Sequence, residues 1–303
     1  MDALLGYTGF VGQTLLRQRD FAAQFNSRNI AQSAGQSFDL AVCAAAPGSM
    51  FEANRFPERD AQVIDELCAS LAQIKARQFV LVSTIAVLDR FDGGADEGTA
   101  QFQETVAYGV NRRRLETFCA QHFDQCLIIR LPALFGAGLK KNFLFDLRNP
   151  VPSMLPEARF DLLFPAAQAF YALDERLGMR VLDRGGLEAS GQRAAIEAEV
   201  LAAGLSAVGF TNPESRFQFY AMSQLWTDVQ RALTAGLKVL HLAPEPVMAG
   251  DVHLALTGQT MAPNAARVHA EDMRTRHADL WQRSGCYSAD AATVMAGLQG
   301  FSA

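Results

Sequence analysis

The chain has 303 residues, half of them hydrophobic and 19% charged, which suits a globular protein of one large or two modest domains and excludes a disordered one. A net charge of −5 argues against a nucleic-acid surface, and no apolar run reaches the roughly 18 residues needed to span a membrane. Five scattered cysteines (Cys43, Cys68, Cys119, Cys126 and Cys286) form no C-x-x-C pair; reduced thiols in a cytoplasmic protein are expected, and with only five residues ahead of Gly6 no signal peptide is expected.

The first stretch, Leu4-Leu5-Gly6-Tyr7-Thr8-Gly9-Phe10-Val11-Gly12, reads as a strand, a glycine turn and a helix start. The spacing is G-x-x-G-x-x-G. Gly6 turns the chain, Gly9 leaves room for backbone to approach a pyrophosphate, and Gly12 lets the helix pack on the sheet. The helix N-terminus then faces the phosphates with free N–H groups. A helix is expected to about Phe21, and a second strand near Phe25-Asn26-Ser27. No carboxylate stands at that strand's end. Ser27-Arg28 stands there instead, which suits a ribose 2′-phosphate and leans to NADP; a surface arginine after a strand is the other reading.

Phe38 to Gly48 reads as a buried third strand whose small residues Ala44-Ala45-Ala46 would let a flat cofactor lie on the backbone, or would simply pack tightly. A helix follows from Pro57 to about Ala76, then a strand Phe79-Val82 running into Ser83-Thr84, a polar loop, a helix from near Gln103 to His122, and the strand Cys126-Leu131. Apolar strands alternating with amphipathic helices predict an α/β fold with a doubly wound parallel sheet. The expected domains are a dinucleotide-binding unit over 1–140 and a smaller substrate lobe over 141–303, with some elements returning to the main sheet. Within the lobe, residues 146–165 look irregular. Helices are expected at 187–204, from Leu225 and over Arg274 to Gln282, with a late strand at Lys238-Leu242.

Ser83-Thr84 at a strand end, Tyr108 on a helix and Arg112 one turn later form the candidate chemistry. The i, i+4 spacing puts Tyr108 and Arg112 on one helix face. A neighbouring cation lowers the pKa of a phenol, and a hydroxyl from Ser83 or Thr84 can hold a substrate oxygen while Tyr108 exchanges its proton.

On these residues the chain resembles the extended short-chain dehydrogenase/reductases, the group of sugar-nucleotide epimerases and dehydratases. The matching pieces are Gly6 to Gly12, Val82 to Val87, Ala107-Tyr108-Gly109, Arg130 to Gly136 and, more loosely, Phe217 to Tyr220. The resemblance implies a Rossmann domain binding NADP or NAD, with cofactor contacts from Gly6, Thr8, Gly9, Phe10, Val11, Gly12, Ser27, Arg28, Ala44, Ala45, Ala46 and Pro132. It implies catalysis by Tyr108, Thr84 with Ser83 beside it, and Arg112. Arg112 stands at the family's lysine position; it can stabilise a phenolate and donate to ribose hydroxyls, but it does not readily pass a proton. Ala133, Phe135 and Ser223 stand where the family more often has asparagine, tyrosine and aspartate.

Lys140 and Asn142 after a glycine loop, and Arg216, are candidates for a substrate phosphate; a solvated turn is the alternative. The histidines have no metal-ligand spacing, so no metal is expected. The reading is an NAD(P)-dependent oxidoreductase or epimerase hydride-transferring at a hydroxyl or carbonyl of a sugar-nucleotide-like small molecule. No nucleic-acid or membrane partner is expected, and a homodimer is what the resemblance implies. A non-catalytic NAD(P)-binding sensor or scaffold is the alternative.

Overall fold

A computed structural model describes residues 1–302. In chain order its main elements are β1 (Asp2–Leu5), α1 (Phe10–Gln18), β2 (Ala23–Phe25), β3 (Ser37–Cys43), α2 (Met50–Arg55), α3 (Pro57–Leu71), β4 (Lys75–Thr84), α4 (Ala107–His122), β5 (Cys126–Leu131) and β6 (Ala133–Phe135). There follow α5 (Phe143–Arg148), β7 (Met154–Leu155), α6 (Glu157–Phe160), α7 (Pro165–Gln168), β8 (Tyr171–Asp174), β9 (Met179–Leu182), α8 (Arg184–Ala189) and α9 (Arg193–Ala202). The chain ends with β10 (Arg216–Phe217), β11 (Phe219–Ala221), α10 (Leu225–Thr234), β12 (Val239–His241), β13 (Val247–Met248), α11 (Ala249–Thr257) and α12 (Ala291–Ser302).

Six strands form one parallel sheet in the order β12-β5-β4-β3-β1-β2. This is the doubly wound α/β fold that the alternation of strands and helices predicts. Side chains alternate between its faces. Leu5, Phe79 and Leu81 pack under α3 and α4 with Ile64, Leu67, Leu71, Leu115 and Cys119. Leu4, Val42, Val80 and Ile129 face α1 and α10 through Leu15, Leu225 and Val229. Burial on both faces explains why the strands read as unbroken apolar runs. The chain reverses direction across the sheet between β1 and β3, so the crevice beyond their carboxyl ends is where such sheets bind ligands.

The chain divides into two compact units. One comprises Met1–Leu139, Phe217–Val247 and the stretch from Ala270 onward; the other comprises Lys140–Arg216 and Met248–His269. The second unit has its own core around Val151, Leu155, Leu187, Ile196 and Val200, and an antiparallel sheet β7-β9-β8. No helix among the described residues is long and apolar enough to cross a membrane.

Several boundaries differ from the sequence reading, each for a local reason. Helix α1 stops at Gln18 rather than Phe21. Arg19 turns extended, pairs with Asp2 at 2.6 Å and lies over the Phe21 and Trp226 rings. Strand β2 ends at Phe25, because the Asn26 and Asn29 side chains accept backbone N–H groups and turn the chain. Helix α3 ends at Leu71, since Lys75 already pairs with Ser37 in the sheet. Helix α4 begins only at Ala107, after the Gln103 side chain has accepted the N–H groups of Thr105 and Val106. The helix expected over 187–204 is two helices, α8 and α9, broken where Gly191 takes a φ of +70°. The helix expected over Arg274 to Gln282 is one 3-10 turn, Ala278–Trp281. The polar segment before it is held by Glu97, which accepts from Thr275 Oγ1 and from the backbone N–H of Arg276.

Candidate active site

The glycine loop is built from backbone proximity. Gly6 has a φ of +87°, and a Cβ there would stand 2.4 Å from the Ala44 carbonyl oxygen. A Cβ on Gly12 would stand 2.2 Å from the Gly6 carbonyl oxygen. These two glycines are required by the fold of the loop itself. Gly9 differs: the nearest atom to a Cβ would be the Gly6 oxygen at 3.6 Å, so no protein atom fills that side. Gly9 and Thr8 are exposed, no side chain caps α1, and its first turn holds no acidic residue. An open, uncapped helix N-terminus over a glycine fits a pyrophosphate. Phe10 and Val11 pack inward on the α1 side of the sheet, and the Phe10 ring approaches Gly138.

The other candidate cofactor residues surround this crevice. Ala44, Ala45 and Ala46 follow β3 and are half-buried, with the Ala44 N–H bonded to the Leu5 carbonyl at 2.8 Å. Ser27 and Arg28 are exposed in the turn just beyond β2. Pro132 is buried between β5 and β6.

Strand β4 carries the chemistry outward. Cys43 pairs with Leu81, so Thr84 lies three residues beyond the end of β3, on the order of 10 Å further along. The Thr84 hydroxyl accepts the Ala86 N–H at 3.2 Å and works to lower the pKa of the Tyr108 phenol. Tyr108 stands in the first turn of α4, 8% exposed, against Ala53 and Ala86, with its N–H bonded to Asn54 Oδ1 at 2.9 Å. The Arg112 guanidinium lies over the phenol ring at 4.3 Å from its centroid.

Arg112 is itself buried, at 3% exposure. Its NH1 pairs with Asp60 Oδ2 at 2.6 Å and its NH2 donates to the Pro47 carbonyl. Asn111 Nδ2 donates to the same Asp60 oxygen at 2.9 Å. Arg112 Nε is buried with no hydrogen-bond partner among the described residues. The terminal guanidinium nitrogens therefore bond to protein, and the side chain meets Tyr108 as a cation against a ring face. The expectation that Arg112 lowers the Tyr108 pKa holds only for its own contribution. Burial pushes the phenol above its ordinary value, Arg112 pulls it down, Asp60 pushes it up again, and the polar groups of Thr84 and Arg112 temper the rise. The net direction is upward, which corrects the expected activated phenol: Tyr108 is a protonated acid at neutral pH.

Ser83 is not part of this group. Its hydroxyl donates to Glu116 Oε1 at 2.6 Å. Glu116 is fully buried two turns below Tyr108 on α4 and accepts from both Nε and Nη2 of Arg130, at 2.9 and 2.7 Å, together with Arg113 Nη1 at 2.8 Å. Arg130 NH1 donates to His241 Nε2 at 3.1 Å. Since arginine only donates, that nitrogen is the acceptor, and Nδ1–H donates to the Arg274 carbonyl at 2.8 Å. Burial holds His241 below its ordinary pKa, in keeping with this neutral tautomer. Burial works to raise the Glu116 pKa, but Arg130, Ser83 and Arg113 outweigh it and hold the carboxyl below its usual range.

Asp60 and Glu116 are the residues that sequence reasoning missed. Asp60 falls on the buried stripe of α3 with Ile64, Leu67 and Leu71. Glu116 continues the i, i+4 series Tyr108, Arg112. A carboxylate on an apolar helix face was the available signal in both cases.

Lys140, Asn142 and Arg216 belong to the second unit. Lys140 and Arg216 are exposed. Asn142, with a φ of +102°, caps α5, its Oδ1 accepting from Leu144 and Phe145 at 3.0 and 3.3 Å.

No protein-family model matches this chain, and no curated protein matches its sequence significantly. Solved structures do match its fold. A UDP-galactose 4-epimerase shares 12% identity over 99% of this chain and 97% of that one, with a TM-score of 0.62. The dTDP-4-dehydrorhamnose reductase of Bacillus anthracis str. Ames, solved in complex with NADP, shares 12% identity over 99% and 96%, with a TM-score of 0.62. The UDP-N-acetylglucosamine 4-epimerase of Bacillus cereus shares 14% identity over 99% and 97%, with a TM-score of 0.55. The chain thus has the Rossmann-like α/β fold of sugar-nucleotide epimerases and reductases.

Proposed function

We propose that this chain is an NAD(P)-dependent oxidoreductase acting on a carbonyl or hydroxyl of a sugar or sugar-nucleotide-like molecule. The observation that carries the reading is Tyr108 with the Arg112 cation on its ring and Ala86, two residues beyond the β4 end at Thr84, packed against it, in the same unit as an uncapped glycine crevice. Gly6, Gly9 and Gly12 with the α1 N-terminus would hold the pyrophosphate, Ala44 to Ala46 the flat edge, and Arg28 a ribose 2′-phosphate. When bound, the nicotinamide supplies or accepts hydride. Tyr108 holds the proton that the substrate oxygen gains or loses, and Thr84 orients that oxygen. The second unit supplies the substrate lobe, with Lys140, Asn142 and Arg216 as candidate phosphate contacts. The fold-level likeness to enzymes acting on UDP- and dTDP-sugars supports the substrate class.

The test is NADPH oxidation followed by absorbance with a panel of keto sugar nucleotides. Turnover that Tyr108→Phe abolishes and that Thr84→Val weakens supports the reading. A second reading, a non-catalytic NAD(P) sensor, draws on the pairing of Arg112 with Asp60, which offsets the cation beside the tyrosine. Tight cofactor binding without turnover of any panel member would favour it.

A further inference from the structure

The Asp60–Arg112 pair sits beneath Tyr108, and its geometry gives it a role beyond holding α3 to α4. Both side chains are almost wholly buried, at 6% and 3% exposure, and their closest contact is 2.6 Å. Asn111 and the Pro47 carbonyl fix the pair from α4 and from the loop after β3. The groups facing Tyr108 are therefore Asp60 from α3, Arg112 from its own helix and the Thr84 hydroxyl from β4, with Asn54 of α2 on its backbone N–H. An unpaired cation over the ring would favour phenolate; a cation closed by a carboxylate does so far less.

We propose that Asp60 is a positioning residue for the chemistry: by closing an ion pair on Arg112 it sets Tyr108 to deliver a proton to a carbonyl oxygen rather than to take one from an alcohol. In the direction of carbonyl reduction Tyr108 is then already the acid. The carbonyl carbon receives the hydride and the carbonyl oxygen receives the Tyr108 proton. The π bond is replaced by a C–H and an O–H bond, the substrate is reduced by two electrons, and the dinucleotide is oxidised by the same two. The phenolate left behind recovers its proton from water. This inference rests on the proposed oxidoreductase reading for its direction, but the role of Asp60 toward Tyr108 is testable without turnover.

The experiment is a pH titration of Tyr108 by NMR in the full chain labelled with ¹³Cζ-tyrosine. There are five tyrosines, and Tyr108→Phe assigns the signal. Wild type is expected to titrate above the free-tyrosine midpoint. Asp60→Asn is expected to lower the midpoint by about one unit or more, because the Arg112 cation is left unpaired. The double variant Asp60→Asn/Arg112→Gln removes both charges and is expected to return the midpoint to within about half a unit of wild type. A midpoint unmoved in folded Asp60→Asn overturns the proposal. If that variant does not fold, the double variant decides alone: a midpoint displaced from wild type by about a unit or more overturns it. In the activity arm, Asp60→Asn is expected to lower by about one unit the pH above which carbonyl reduction declines. Absence of turnover in every protein sinks the oxidoreductase reading while the titration still decides the role of Asp60.

Discussion

Ser83 and Glu116 are joined by a hydrogen bond of 2.6 Å, which separates Ser83 from the role proposed for its neighbour Thr84. Adjacent residues on a strand point to opposite faces, so two hydroxyls side by side in sequence serve different ends. Ser83→Ala is expected to cost about 1–3 kcal/mol of stability, because a buried carboxylate loses a donor. Thr84→Val is expected to act on turnover. Thermal unfolding and kinetics of the two variants separate these roles.

Glu116 also makes the stability of the fold depend on acid. Its folded pKa lies below the unfolded value of 4.5, so its contribution is present above that value and is lost as pH falls through the folded pKa. Glu116→Ala leaves Arg130 buried and unpaired and is expected to destabilise the protein by about 3–5 kcal/mol at neutral pH, less below pH 4. Denaturant melts at pH 7 and pH 3.5 check this.

Glu271 shows the opposite sign. Burial raises its pKa to about 7, with only the Gln218 N–H, at 2.9 Å, working against the rise. The stability it allows is full below the unfolded value of 4.5 and is lost as pH rises through about 7. Glu271→Gln should therefore melt at a higher temperature than wild type at pH 8 and at nearly the same temperature at pH 4. Calorimetry at the two pH values measures the gap.

The glycines predict separable defects. Gly12→Ala forces a Cβ onto the Gly6 carbonyl and is expected to cost at least about 1–3 kcal/mol of stability. Gly9→Ala meets nothing closer than 3.6 Å in the protein, so the fold should stand while dinucleotide affinity falls. Arg28→Ala should weaken NADPH binding by about 10- to 150-fold and leave NADH unchanged, the range expected for losing a hydrogen bond between charged groups. Melting and binding curves together sort the three.

Much of this was legible in the sequence because the physics is local or periodic. Strand β5 spans Cys126 to Leu131 as read, and the strand pattern alone predicted the parallel sheet. The glycine spacing located the crevice, and i, i+4 spacing put Tyr108 with Arg112. What escaped depends on contacts between distant segments. Nothing near Arg112 in sequence announces Asp60, which lies 52 positions away on another helix. Nothing at Ser83 announces Glu116. The net direction of the Tyr108 pKa follows from burial and from Asp60 together, so the cation alone gave the wrong sign. The stretch from Arg274 to Gln282 looked helical by composition, but Glu97 captures its backbone from a loop more than 170 residues earlier.

The measurement that tests the central claim most directly is a fluorescence titration of the purified protein with NADPH and with NADH. The site described here predicts binding of NADPH with a Kd of order micromolar, tighter than NADH, and weakened in Gly9→Ala. Binding of neither dinucleotide at concentrations up to about a millimolar would contradict the claim that this crevice is a cofactor site.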